Sequence, residues 1–75
     1  MYSYVGIVAL MHDGLVSFRR SDIFNAASEE EAYEELDKRV DQNMSAEEQS
    51  HICNDWVLNL DDPTQASLVL RNFNN

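Results

Sequence analysis

A chain of 75 residues has room for one small core, and 44% hydrophobic residues with two Gly and one Pro mark it as folded rather than disordered. Its net charge of −9 repels nucleic acid and anionic membrane, which excludes the basic footprint of a DNA or RNA binder. No apolar run reaches the ~18 residues of a membrane span, and the single cysteine, Cys53, excludes an internal disulfide, pointing to a cytoplasmic setting.

Residues 2–24 read as a β-hairpin. Tyr2 to Met11 is rich in aromatic and β-branched residues, and Asp13-Gly14 is a type I′ turn signal. The N-terminal stretch has no basic region before it and no small-residue cleavage site after it, so it does not read as a signal peptide. Pairing His12 with Leu15 sets Met11 against Val16 and Ala9 against Phe18, and then Ile7 against Arg20, a poor match. A bulge near Arg19-Arg20 would instead set Val5 against Ile23. The first strand is apolar on both faces, with Val5, Ile7, Ala9 and Met11 on one and Tyr4, Val8 and Leu10 on the other. Such a strand sits inside a sheet, so a second neighbour is expected, from the C-terminal segment or from another copy of the chain.

Residues 28–43 form an acidic helix. Ser28 with Glu31 is a capping box, and Glu29, Glu30 and Glu31 fill the first turn, where the helix dipole favours carboxylates. Ala32, Tyr33, Leu36 and Val40 make an apolar stripe. Glu30, Glu34, Asp37 and Asp41 make a row on the opposite side, while Lys38 can pair with Glu34 and Arg39 with Glu35. Asn43 and Met44 end this helix, and Ser45 with Glu48 makes a second capping box. The second helix runs from 45 to about 55–60, because Ile52, Cys53, Trp56, Val57 and Leu60 recur at helical spacing. The alternative is a stop near Asn54, with Trp56 to Leu60 as a strand, since Asn54-Asp55 suits a helix interior poorly. Cys53, beside Ile52, reads as a core residue.

The C-terminal element, 66–73, is ambiguous. Asp62 as N-cap, Pro63 at N1 and Gln65 at N3 signal a helix, with Ala66, Val69, Leu70 and Phe73 on its stripe. SLVLRNF also reads as a strand, and the doubly apolar first strand tips the preference that way. The expected fold class is α+β: one small domain with the hairpin in an antiparallel sheet, packed against two tandem helices, and a C-terminal strand (preferred) or helix.

No constellation for chemistry stands out. His12 lies at the hairpin tip and His51 on the second helix, neither at ligand-like spacing for a zinc site of four ligands. Cys53 and His51 are two apart, the wrong separation for a helical dyad. Gly6 and Gly14 build no phosphate loop. The expectation is therefore a non-enzyme with no metal and no cofactor.

Charge is the informative feature. Residues 1–21 carry net +1, residues 22–62 carry thirteen acids against Lys38 and Arg39 for net −11, and Arg71 follows. In size and charge the chain is similar to the small acidic proteins that phages and mobile elements use to disable host factors, some of which imitate nucleic acid. That similarity implies an inhibitor binding a basic, nucleic-acid-binding host protein. The contact residues would be Glu30, Glu31, Glu34, Glu35, Asp37, Asp41, Glu47, Glu48 and Tyr33, the tyrosine bordering the acid row as an anchor. The alternative is a homo-oligomeric adaptor, with the first strand as the subunit contact and the acids a solubility coat. Arg19 and Arg20 are then solvent-facing, or meet the acidic helix of a second copy in a homodimer.

Overall fold

In a computed structural model that describes residues 1–73, apart from the Phe73 side chain, the Asp13-Gly14 turn closes the hairpin as its chemistry dictates. Both residues take positive φ, 52° and 77°, and His12 stands opposite Leu15. The turn joins β1 (Tyr2–His12) to β2 (Leu15–Arg20); there follow β3 (Phe24–Ala26), α1 (Glu29–Asn43), α2 (Ala46–Ser50), β4 (Ile52–Asn59) and α3 (Pro63–Phe73). The protein is a small α+β domain on an antiparallel four-stranded sheet.

All pairing runs through β1. Tyr4 pairs with Phe24 and with Asn59, and Ile7 to Ala9 pair with β2 and with β4, so β2 and β3 share one side of β1 and β4 takes the other. The bulge that the hairpin asks for exists, displaced toward the C-terminal side. Ile7 does stand opposite Arg20, and the pairing then slips by one residue across 21–23 before Tyr4 meets Phe24. Ser21 fills the gap: its amide donates to the Gly6 carbonyl and its hydroxyl accepts from the Gly6 amide, both at 2.8 Å. The expected Val5–Ile23 pair does not form, and Ile23 stays exposed.

The second neighbour of β1 is β4, which corrects the extent of the second helix. After the Ser45–Glu48 capping box, α2 ends at Ser50 instead of continuing to 55–60. The apolar spacing of Ile52, Trp56, Val57 and Leu60 suits either period, and the unpaired peptide edge of β1 decides for strand. With that edge filled, the C-terminal element is a helix, correcting the strand preference. Asp62 accepts from the Thr64 amide at 2.9 Å, Pro63 starts α3, and Val69 is buried while Leu70 is exposed. The Phe73 side chain lies outside the described structure.

Two cores flank the sheet. Tyr4, Val8, Leu10, Phe24, Ala26 and Val57 pack under Ala32 and Leu36 of α1. Val5, Ile7 and Leu58 pack under Val69 of α3. The apolar character of both faces of β1 is thus explained by a helix on each side, within one chain. Both sides of β1 are paired within the chain, so its second neighbour is β4. Gly6 lets α1 come close, because a Cβ there would run into the Leu36 side chain. Cys53 is not core: it occupies a bulge in β4 opposite Ala9 and Leu10, is exposed, and its thiol donates to the Ala9 carbonyl at 3.5 Å.

Candidate acidic binding face

Helical period divides α1 cleanly. Ala32 and Leu36 are buried, and Tyr33, Val40 and Met44 are half-buried against the same core. Glu30, Glu34, Asp37 and Asp41 are all exposed, and among the described residues none of them forms an ion pair. They span about 16 Å of helix axis at ~1.5 Å per residue. Among the described residues Lys38 does not pair with Glu34, and Glu47 on α2 adds another exposed carboxylate without an ion pair.

The other candidate carboxylates have internal work. Glu31 accepts from the Ala27 amide at 3.0 Å, one residue before the Ser28 amide a capping box would use, while the Ser28 hydroxyl accepts from the Glu31 amide at 3.2 Å. Glu35 pairs with Arg39 at 2.9 Å. Glu48 accepts from the Ser45 amide at 3.1 Å and from Arg19 at 2.6 Å. The Ser45 backbone bond first, and the Arg19 guanidinium after it, hold the Glu48 carboxyl below its ordinary value. Tyr33 is half-buried at the border of the core, so its reach to a partner is partial. The nine candidates thus separate into an exposed set (Glu30, Glu34, Asp37, Asp41 and Glu47), a structural set (Glu31, Glu35 and Glu48) and one border residue, Tyr33.

Beside this face lies a cleft of about 290 Å³ between α1 and the β2–β3 edge, lined by Arg19, Arg20, Asp22, Arg39, Leu36 and Met44 among others. Arg39 lies over the Phe24 ring at 4.9 Å while held by Glu35. Arg19 and Arg39 therefore tie α1 and α2 to the sheet, and neither is free to neutralise the acid row.

Two features escaped the sequence. His12 and His51, remote in the chain, meet with ring centroids 4.4 Å apart and planes tilted by 48° because β4 begins where β1 ends. Among the described residues no cluster of three or more His, Cys, Asp or Glu side chains is arranged to hold a metal ion, and no helix is long and apolar enough to cross a membrane. The second feature is a set of exposed apolar side chains on the hairpin: Met11, Leu15, Val16 and Phe18. Alternation alone would have placed Met11, Val16 and Phe18 on one face, but not told whether that face is covered. No family model, no curated protein and no solved structure matches this chain.

Proposed function

We propose that this protein is an acidic binding module that docks the outer face of α1 on a basic surface of a partner protein, occupying a site that the partner uses for nucleic acid. One observation carries the reading: Glu30, Glu34, Asp37 and Asp41 form an exposed row with no ion pair among the described residues. Carboxylates placed about 5 Å apart along the axis are of the same order as the ~3.4 Å rise per phosphate of one DNA strand. Such a line attracts a groove built for phosphates, and speeds encounter with it. The rigid core under α1 keeps the row straight before binding, which limits the ordering cost. No catalytic step enters this reading.

The test is capture of a basic nucleic-acid-binding protein, followed by elution with duplex DNA and with salt. The partner should leave with either agent, because exposed charges are screened within about 10 Å at 0.1 M salt. Replacing Glu30, Glu34 and Asp37 together by Lys should abolish capture. Retention of the partner by that triple variant would remove the proposal.

A further inference from the structure

Among the described residues the sheet ends on β2 and β3 at one side and on β4 at the other. Along β4 the outward Asp55 and Asn59 amides are taken by the Asn54 and Gln65 side chains, whereas β2 has no such cover. The Gly6 carbonyl accepts from Ser21, so even-numbered residues of β1 turn their peptide groups toward β2. Odd-numbered ones turn toward β4, as the Met11 amide donating to His51 and the Ser3 carbonyl accepting from Leu60 also show. Opposite His12, Leu10 and Val8, the residues Leu15, Ser17 and Arg19 therefore bond to β1. Val16, Phe18 and Arg20 point their N–H and C=O groups away from the sheet, and among the described residues no strand meets them there. Every residue of β2 is exposed.

Edges of this kind are ordinarily guarded by a charge, a proline, a bulge or brevity. Arg19, Arg20 and the following bulge guard one end. The stretch Leu15 to Phe18 has no guard, and Phe18 is 54% exposed and Leu15 76% exposed. Met11, Val16 and Phe18 share a face, and α3 stops short of it: Val69 covers Val5, Ile7 and Leu58. Phe18 stands T-shaped to the half-buried Trp56 ring, with centroids 6.2 Å apart.

We infer that a second copy of this chain pairs antiparallel along β2, extending the sheet across a two-fold axis at Ser17. Two observations choose a second copy over a foreign strand. The first is self-complementarity. The outward peptide groups of Val16 meet those of Phe18 of the second copy, and the same contact repeats by symmetry. This register joins the Met11, Val16 and Phe18 side chains of both copies into one apolar strip and leaves Arg20 opposite the side-chain-free Gly14. The second is charge. Two molecules of net −9 repel, and the segment 1–21, at net +1, is where they approach with least opposition. A contact of one strand pair falls in the small class of interfaces, below ~1,200 Å², so the dimer is concentration-dependent.

Sedimentation of the whole chain from about 10 µM to about 1 mM tests this across the range of weak association. The mass should rise from one chain toward two. The rise should come earlier at higher salt, because screening relieves the mutual repulsion; docking through the acid row has the opposite salt dependence. Phe18→Lys should stay a monomer throughout. Val16→Pro should do the same with an unchanged circular-dichroism spectrum, since its amide bonds nothing within the chain. The triple Lys variant of α1 should dimerise at least as well as the native chain, which keeps this test separate from that of the acidic face. A native chain that remains monomeric at the top concentration overturns the inference. So does a Val16→Pro chain that dimerises as the native one does.

Discussion

The outer face of α1 and the free edge of β2 are both surface, and they are built in opposite ways. α1 turns its apolar residues to the core, with Leu36 2% exposed and Tyr33 and Val40 half-buried, and presents carboxylates. β2 hides nothing and presents Leu15, Val16 and Phe18. The difference arises from what each element can bury. A helix turns one stripe toward the sheet and keeps the remainder polar. A two-sided sheet needs a helix over each face, and α3 is too short to cover the hairpin end as well as Val5 and Ile7. One region is thus a finished surface that carries charge, and the other is a surface with an uncovered apolar strip.

The largest test of that contrast is truncation of each region's main apolar side chain. Leu36→Ala should cost about 2–5 kcal/mol, whereas Phe18→Ala, at an exposed position, should cost under about 1 kcal/mol. Denaturant unfolding reads both, and equal losses would mean that Phe18 is core after all. Gly6→Ala follows. Its methyl group would push Leu36 and lift α1 from the sheet, costing about 1–3 kcal/mol in the same assay. Ser28→Ala should remove about 1 kcal/mol through loss of the α1 cap, with no change at the hairpin edge by amide exchange.

Acid should act through the junction between the two regions, where Arg19 of β2 meets Glu48 of α2. Because the folded chain depresses the Glu48 carboxyl, its contribution is complete above the unfolded value and disappears as pH falls through the folded one. Asp62, held low by Gln65 and then by the Thr64 amide, adds a second contribution of the same sign. The melting temperature should therefore decline below about pH 4.5, and less steeply in Arg19→Gln. The smallest effect belongs to Lys38→Ala. Lys38 is exposed and without an ion pair among the described residues, so stability should change by less than about 0.5 kcal/mol. A larger loss would show that Lys38 does neutralise the acid row in solution.

Local chemistry was legible wherever a few neighbouring residues decide the outcome. Asp13-Gly14, Ser28, Ser45 and the Asp62-Pro63 start are each where the chain places a turn or a cap. The split of α1 into a buried stripe and an acid row follows from the helical period alone. The exposed carboxylates were therefore readable in advance, whereas Glu31, Glu35 and Glu48 were drawn inward by caps and arginines. Arg39 could be anticipated one turn from Glu35; Arg19 reaching Glu48 could not.

By itself the sequence determined that residues 1–24 fold back on a tight turn, that an acidic amphipathic helix follows, and that the first strand must be covered on both faces. Tertiary structure decided which segments cover it. Ile52 to Leu60 fits either period, and only the open hydrogen-bonding edge of β1 makes it a strand. That choice releases the C-terminal segment to be a helix, leaves Cys53 at the surface, brings His12 against His51 and leaves the outer edge of β2 without a strand partner among the described residues. Short-range patterns fix how a segment prefers to fold, but the peptide groups of β1 are satisfied only by chain that arrives from far along the sequence.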